Sequence, residues 1–299
     1  MRTVPVTIFI PTRNGGELFR RSLAAIAALD PAPEAVLVID SGSSDGSAEL
    51  ARDAGHLARS ISPLEFDHGG TRQLGVELAA TEFVAFLSQD SIPEPDYLGP
   101  LVKAMDDPQV AGATARVLPY ADSSPLARRT VLAHPLAGSR PLLRRLEDGS
   151  LEGEDGAFRR RLCLFDNVAS LARREFLLEH PFPRTMMGED VHFAESALRA
   201  GRALAFVPQA VVHHAHEYGP LGAYRRYRED ARFVRAHFGL ALRPGLAALL
   251  RGFLYELRED HRFLSGEPLG AKLKALLRAP FLRAGQTLGQ YAGSRARSA

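Results

Sequence analysis

The chain has 299 residues, of which 45% are hydrophobic and 24% are charged, and its formal net charge is +2. These values are typical of a globular protein with one large domain, and the weak net charge gives no reason to expect a nucleic-acid partner. A single cysteine, Cys163, excludes an internal disulfide framework. The N-terminus lacks the long apolar core of a secretory signal, and no apolar stretch approaches the roughly 20 residues of a membrane span. We therefore expect a cytoplasmic protein.

The first 90 residues alternate short apolar strands with helices. We predict strands at residues 6–10, 35–40, 57–61 and 83–87, with helices at 18–29, 47–54 and 71–80 between them. This alternation predicts an α/β fold with a mostly parallel sheet flanked by helices. In such sheets, ligands bind beyond the carboxyl ends of the strands.

Polar side chains follow the ends of these predicted strands. Asn14, Asp40 and Asp90 each come just after an apolar run. Asp90 has two interpretations: it caps the next element, or it holds a divalent cation that bridges the phosphates of a nucleotide diphosphate. Asp40 likewise caps its own turn or accepts a hydrogen bond from the ring N–H of a pyrimidine base.

The turn at residues 68–72 reads HGGTR and opens a predicted helix. Backbone N–H groups and one guanidinium at a helix N-terminus suit an anion, although a glycine pair also opens helices that bind nothing.

Residues 119–161 are rich in Pro, Ser, Gly and charge, which predicts a long irregular loop that acts as a lid or binding loop or is partly disordered. We predict a strand at residues 163–172 and two short strands at 203–208 and 210–214.

Two further groups carry titratable side chains. Glu189 and Asp190 open a predicted helix, where acids favour the helix dipole, or where one of them serves as a general base. His213, His214 and His216 lie at a predicted strand end. Because side chains alternate along a strand, His214 and His216 share a face, and paired imidazoles suit a metal or a phosphate.

The C-terminal part, residues 241–299, is predicted to be a helical extension with helices at 245–260 and 271–288. Its basic residues are interleaved with Leu and Phe. This pattern has two interpretations: a solvated helix face packed on its own domain, or a face directed at a partner or an anionic membrane surface. The basic residues are Arg243, Arg251, Arg258, Arg262, Lys272, Lys274, Arg278 and Arg283.

Eight motifs in sequence order resemble those of glycosyltransferase family 2 enzymes with the GT-A fold, and most closely the rhamnosyltransferase-like subgroup. They cover about residues 4–240, so residues 1–240 are expected to form the catalytic domain. The motifs are IPTRN at 10–14, VIDSGSSDG at 38–46, FDHGGTR at 66–72, FLSQD at 86–90, RVLP at 116–119, PFP at 181–183, GED at 188–190 and HAHEY at 214–218.

The resemblance implies a role for each matching residue. Asp90, with His214 and His216, would bind Mg²⁺ or Mn²⁺ on the donor diphosphate, and Asp190 would be the general base of an inverting transfer. The residues implied to bind the nucleotide sugar are Pro11, Thr12, Asn14, Asp40, Arg72, Gln89, Asp90 and Glu189. The family's usual Asp-x-Asp metal motif is altered here, because Ser88 stands at the first acidic position, and Gln73 replaces an expected Asn.

The donor implied by the subgroup is dTDP-rhamnose, with UDP- or GDP-linked sugars as alternatives. The acceptor would be a glycan or a lipid-linked glycan, which adds a peripheral contact with the inner face of the cell membrane. Two other functions are considered. A nucleotidyltransferase would carry a Gly-rich, Arg- or Lys-bearing loop after the first strand, but residues 11–16 read PTRNGG. A non-catalytic sugar-nucleotide-binding module would not need Asp90 and Asp190.

Overall fold

The computed structural model describes residues 2–146, 150–151 and 153–295. These residues form two compact units. The first comprises Met1–Leu118, Pro135–Glu152 and Leu162–His214, and the second comprises Pro119–His134, Gly153–Arg161 and Ala215–Ala299. The sheet belongs to the first unit, and the second is helical. The domain boundary expected at residue 240 stays a prediction.

One sheet organises the described part of the first unit, in the order β3-β2-β1-β4-β8-β6-β9-β5, with β7 also paired to β9. Its strands are β1 (Thr3–Thr12), β2 (Ala32–Asp40), β3 (Leu57–Ser60), β4 (Phe83–Leu87), β5 (Ile92–Pro93), β6 (Val110–Leu118), β7 (Leu142–Arg144), β8 (Ala169–Arg173) and β9 (Ala203–His213). Pairing is parallel from β3 through β4 and between β6 and β9, and antiparallel where β8, β5 and β7 join.

Strands and helices alternate along the first unit, so the predicted α/β class is confirmed. The helices are α1 (Gly16–Ala27), α2 (Ser47–Asp53), α3 (His68–Leu78), α4 (Leu98–Ala104), α5 (Pro125–Leu132), α6 (Gly156–Leu162), α7 (Arg174–Glu179), α8 (Glu189–Arg199), α9 (Pro220–Phe238), α10 (Leu246–Phe263) and α11 (Leu269–Arg295). Among the described residues, no helix has both the length and the apolar composition needed to cross a membrane.

The core lies on the central strands β1 and β4. All five residues of β4 are buried, as is expected of a strand covered on both faces. Phe9 of β1 meets Phe86 of β4 edge to face at 6.0 Å between ring centroids, and Phe86 meets Phe182 at 5.5 Å. This packing fixes the carboxyl ends of both strands, where the candidate site begins.

The structure corrects several expectations about local elements. The segment 119–161 is not one irregular loop, because it contains α5, β7 and α6. Helix α5 carries a usual start signal: Ser124 accepts a hydrogen bond from the backbone N–H of Ala127, and Pro125 occupies the first turn. The two strands expected at residues 203–208 and 210–214 are one strand, β9. A register shift near Ala115 of β6 accommodates the missing N–H of Pro208.

The second unit is held together by close helix packing and buried ion pairs. Gly285 and Gly289 of α11 lie against the backbone of α9: an added Cβ would stand 2.2 Å from the carbonyl oxygen of Pro220 and 2.4 Å from that of Tyr224. Arg283 of α11, 2% exposed, donates both its Nε and one Nη to the carboxylate of Asp260 at 2.8 Å. One face of α11 is therefore fixed against its neighbours.

Candidate active site

The loops after β1 and β2 are joined by hydrogen bonds through Asn14. Its side-chain oxygen accepts from the backbone N–H of Ser44 at 2.8 Å, and its own N–H donates to Oγ of Ser43 at 2.8 Å. Asn14 has a left-handed backbone with φ of 48°, a conformation that Asn tolerates better than most residues. Asn14 thus shapes the edge of the sheet, and its contact with a nucleotide stays a prediction.

Gln89 joins the loop after β4 to the loop after β1. Its side-chain oxygen accepts from the backbone N–H of Arg13 at 2.8 Å, and its amide nitrogen donates to the carbonyl of Arg13 at 3.3 Å. Because both ends of the amide are engaged, the observed role of Gln89 is to hold these loops together. Its predicted contact with the nucleotide sugar is untested.

Asp40 ends β2 and is almost fully buried. One carboxylate oxygen accepts the backbone N–H groups of Gly42 and Ser43, each at 3.1 Å, and the other accepts from Oγ of Ser43. The carboxylate therefore caps its own turn, which was one of the two interpretations of the sequence. It retains acceptor capacity beyond these bonds, so a base contact is compatible with the geometry.

Oγ1 of Thr12 and, on α3, Nε of Arg72 are among the buried polar atoms that have no hydrogen-bond partner in the described part of the chain. Thr12 is the last residue of β1, and Pro11, which precedes it, is half-buried. Burying a donor or acceptor without a partner costs about 1–3 kcal/mol, so such atoms are usually satisfied by a ligand or a water. Contact of Thr12 and Arg72 with a nucleotide stays a prediction.

A group of metal-ligand side chains lies beyond the ends of β4 and β9. Oδ1 of Asp90 lies 3.4 Å from Nε2 of His214, whose backbone N–H donates to the carbonyl of Leu118 at 2.8 Å. His216 follows two residues later, and the ligand atoms of Asp90, His214 and His216 all lie within 4.8 Å of one another. The structure therefore brings together the three residues predicted to form a metal site.

This donor set fits a divalent cation. Two ligands about 2.1 Å from an octahedral ion stand about 3 Å apart when adjacent and about 4 Å apart when opposite, close to the spacing observed. A carboxylate suits Mg²⁺ or Mn²⁺, whereas imidazole nitrogens favour transition metals, so the mixed set fits Mn²⁺ well. The remaining histidine, His213, lies 3.1 Å from Oε1 of Glu94.

Arg72 and Glu189 form a buried ion pair between α3 and α8. Nη1 of Arg72 lies 3.2 Å from Oε1 of Glu189, and it also donates to the carbonyl of His68 at 3.1 Å. Asn167 donates to the same oxygen of Glu189 at 3.4 Å, and Ser170 donates to Asn167 at 2.9 Å. The start of α8 is thus anchored to α3 and β8, next to Asp190.

Asp190 lies in the first turn of α8, and one of its carboxylate oxygens accepts the backbone N–H of Val191 at 2.8 Å. Burial raises the pKa of Asp190, and the neighbouring carboxylates of Glu189 and Asp166 raise it further. A carboxyl group with a raised pKa is a stronger base when ionised, as general base catalysis requires. A structural acid at a helix start is more often stabilised in its charged form.

The backbone N–H groups of the glycine-rich turn at the start of α3 already have hydrogen-bond partners within the protein. The N–H of Gly69 donates to the carbonyl of Thr185 at 3.1 Å, and those of Gly70 and Thr71 donate to Asp67 at 2.6 and 3.0 Å. Of the two interpretations of this turn, the structure therefore favours a glycine pair that opens a helix without a ligand, because all three donors are already satisfied. Helix α3 also begins at His68, three residues before the predicted start.

Asp67 caps α3, the helix that carries Arg72, and no role was predicted for it. Beyond capping α3, it accepts from the backbone N–H of Thr185 at 3.0 Å and from Nε of Arg184 at 2.9 Å. Burial alone would raise the pKa of Asp67, but the hydrogen bonds from Gly70, Arg184 and Thr185 outweigh it and lower the pKa. An Asp directly before a glycine-rich helix start is an N-cap signal that could have identified it. Asn167, which contacts Glu189, and Asp166, which raises the pKa of Asp190, were also missed, and no sequence pattern indicates them.

Substituting Gly69 tests the contact that positions the segment before α8. In Gly69→Ala the new Cβ would stand 1.8 Å from the carbonyl oxygen of Pro183, so backbone must move. We expect the free energy of unfolding to fall by about 1–3 kcal/mol, as measured by urea denaturation. The matched control is Gly270→Ala in α11, where nothing lies within 4 Å of the added Cβ; it should leave stability unchanged or raise it. Equal stability of the two variants would contradict the close contact.

Comparison with known proteins supports the resemblance read from the motifs. The family model for glycosyl transferase family 2 matches residues 7–163. The chain is 33% identical over 233 residues to O-antigen chain rhamnosyltransferase RfbN of Salmonella typhimurium, covering 76% of this chain and 72% of that protein. It is 30% identical over 231 residues to O-antigen chain rhamnosyltransferase WbaN of Salmonella anatum, covering 76% of this chain and 71% of the relative.

A solved structure supports the fold. The mannosyltransferase PcManGT from Pyrobaculum calidifontis, solved in complex with GDP-Man and Mn²⁺, superposes with a TM-score of 0.59, covering 97% of this chain and 85% of that chain. At 21% identity this likeness establishes the GT-A fold and nothing finer. The family match spans more than half of the chain, and the two relatives agree with it over about three quarters. We conclude that this protein is a glycosyltransferase that belongs to family 2.

Proposed function

We propose that the enzyme transfers rhamnose from dTDP-rhamnose to a hydroxyl of a glycan or lipid-linked glycan, with inversion at the anomeric carbon. The observation that carries this proposal is the convergence of Asp90, His214 and His216 at the carboxyl edge of the sheet, where α/β folds bind ligands. The choice of rhamnose is supported by the names of the two relatives at 30–33% identity.

On the donor side, the nucleotide would lie along the loops after β1 and β2. Pro11, Thr12 and Asn14 would line its pocket, and Asp40 would accept a ring N–H of the base while it continues to cap its turn. The unpartnered Oγ1 of Thr12 supports this arrangement, because a bound ligand would satisfy it. Gln89 would act mainly by keeping the two loops in register.

The leaving group is the nucleoside diphosphate. Asp90, His214 and His216 would hold Mn²⁺ or Mg²⁺ against it. The cation supplies positive charge that stabilises the departing diphosphate. Arg72, with an unpartnered buried Nε, would add a guanidinium on the same side, and Glu189 would keep that guanidinium in place through their ion pair. Ser88 leaves this strand end with one acid fewer than the Asp-x-Asp motif, and the imidazoles would compensate for it.

On the acceptor side, Asp190 would be the general base. The acceptor hydroxyl oxygen attacks the anomeric carbon, its proton passes to the Asp190 carboxylate, and the bond from that carbon to the diphosphate oxygen breaks in the same step. Attack opposite the leaving group inverts the anomeric configuration. The raised pKa of Asp190 supports this role because it strengthens the ionised carboxylate as a proton acceptor.

The donor class can be tested by thermal shift. We expect dTDP with Mn²⁺ to raise the melting temperature more than UDP or GDP, and EDTA to remove most of the shift. A ligand at 100 times its Kd stabilises the folded state by about 2.7 kcal/mol, which is a shift of several degrees. A larger shift with UDP or GDP would contradict the dTDP assignment while leaving the transferase class intact. Absence of a shift with every nucleotide would contradict the proposed site itself.

A further inference from the structure

Helix α11 carries an exposed apolar stripe. Leu269, Leu273, Leu277 and Phe281 are 71%, 53%, 75% and 68% exposed. Their spacing of four residues places successive members next to each other along the helix. The opposite face is already used, because Ala275 and Ala279 are buried in a core cluster of the same unit. The stripe is therefore not the packing face of the helix.

Helix α10 repeats the arrangement. Leu246, Leu250 and Leu254 are 67%, 58% and 63% exposed and are also four residues apart. Leu257, by contrast, packs against the core cluster that includes Ala275. We call these seven exposed side chains of α10 and α11 the apolar stripes. Single exposed leucines are ordinary on protein surfaces, but two regular stripes in one unit are characteristic of an interaction surface.

The charged side chains of α11 are all positive. The 27 residues of α11 contain five Lys or Arg and no Asp or Glu. Lys274 and Arg278 are exposed beside the α11 stripe, and Lys272 is half-exposed on its other side. None of the three has an acidic partner among the described residues. Their positive charge is therefore available to a negatively charged partner.

The acids of α10 do not neutralise this charge, because arginines hold all three. Glu256 pairs with Arg129 at 2.6 Å, and Glu259 pairs with Arg262 at 2.6 Å. The third, Asp260, is buried against Arg283. The remaining arginines of α10, Arg251 and Arg258, are exposed and have no acidic partner in the described part of the chain.

We propose that the apolar stripes and their flanking basic residues bind the surface of an anionic lipid bilayer. Apolar side chains enter the interface between headgroups and acyl chains, and Lys and Arg contact the negative headgroups. A second copy of the chain fits poorly, because stripe-to-stripe contact would bring the basic residues of both copies together. The proposal is independent of the donor and acceptor assigned above, so either can fail without the other.

Vesicle flotation with the full chain tests this proposal. Vesicles of phosphatidylcholine alone are compared with vesicles that also contain phosphatidylglycerol, and we expect strong binding only to the latter, weakening as salt is raised. The variant Lys272→Gln/Lys274→Gln/Arg278→Gln should bind anionic vesicles about 100-fold more weakly. The variant Leu273→Ser/Leu277→Ser should bind them at least tenfold more weakly. The matched control Leu64→Ser, at a side chain 97% exposed in the first unit, should bind normally.

Circular dichroism and melting temperature establish that each variant is folded, and sedimentation establishes its oligomeric state. Failure of the unmodified chain to bind anionic vesicles would overturn the proposal. So would equal binding by the stripe variant and the control. A concentration-dependent dimer that Leu273→Ser/Leu277→Ser converts to monomer would show that a second copy, and not a bilayer, covers the stripes.

Discussion

Asp190→Asn is expected to lower the rate of sugar transfer by about 10²–10⁴-fold while leaving the affinity for nucleotide unchanged. The amide keeps the size of the side chain but cannot take the proton of the acceptor hydroxyl. A transfer assay gives the rate, and calorimetry with dTDP and Mn²⁺ gives the affinity. Loss of both in equal measure would mean that Asp190 is structural and not catalytic.

The raised pKa of Asp190 adds a second expectation, about stability. Burial and the carboxylates of Glu189 and Asp166 disfavour the charged form of Asp190 in the folded protein. The free energy of unfolding should therefore fall as the pH rises through the raised pKa and Asp190 ionises. Asn carries no charge, so Asp190→Asn should melt at the same temperature as the unmodified protein, or higher, at pH 7. Asp67→Asn is the control, and it should have the opposite effect, a lower melting temperature at pH 7. Hydrogen bonds lower the pKa of Asp67, so its stabilising contribution is present at pH 7 and is lost only below the ordinary pKa of about 4.

The same reasoning applies to the pH dependence of transfer. The ionised form of Asp190 is the active base, so the rate should rise with pH through the pKa of this group. Because that pKa is raised, the acid limb of the pH–rate profile should lie at a higher pH than an ordinary carboxylate would give. An acid limb at the ordinary carboxylate position would contradict the assignment of Asp190 as the base.

Asp90→Asn and His214→Ala should each weaken Mn²⁺-dependent binding of the nucleotide by about 100-fold or more. Loss of residues that only support metal ligands costs about 10–100-fold, and loss of a ligand should cost at least as much. Higher Mn²⁺ should partly restore binding to both variants. Calorimetric titration of dTDP at several Mn²⁺ concentrations measures these effects.

His213→Ala is the matched control for the metal site. His213 is the neighbour of His214 in the chain, but its ring contacts Glu94 instead of the predicted ligand group. Binding should therefore be unchanged. If His213→Ala and His214→Ala weakened binding equally, the effect would come from disturbance of β9, and the metal site would be contradicted.

The sequence predicted the features that follow from periodicity. Alternating apolar strands and helices indicated the α/β fold, and the polar residues after those strands do gather at one edge of the sheet. The pairing of Asp90 with His214, 124 positions apart, followed from a resemblance to a family and not from spacing. No local pattern reveals that β8 enters antiparallel between β4 and β6, because an apolar run carries no information about strand direction.

Hydrogen bonds between loops were also beyond the reach of the sequence. Gln89 binds the backbone of Arg13, and Asn14 binds the backbone of Ser44, but neither side chain shows in the sequence where its partner lies. The glycine pair at 69–70 illustrates the converse error. An approaching anion was one of its two interpretations, yet Gly69 is needed because the backbone of Pro183 approaches. Both kinds of close approach require glycine, so composition alone does not separate them.

The central claim is that Asp90, His214 and His216 hold a divalent cation on the donor diphosphate. Anomalous diffraction from crystals grown with Mn²⁺ and dTDP tests it directly. We predict one manganese peak in contact with Oδ1 of Asp90, the imidazoles of His214 and His216, and the diphosphate oxygens. A bound nucleotide whose manganese peak lies away from these side chains, or that binds equally well without any cation, would contradict the account.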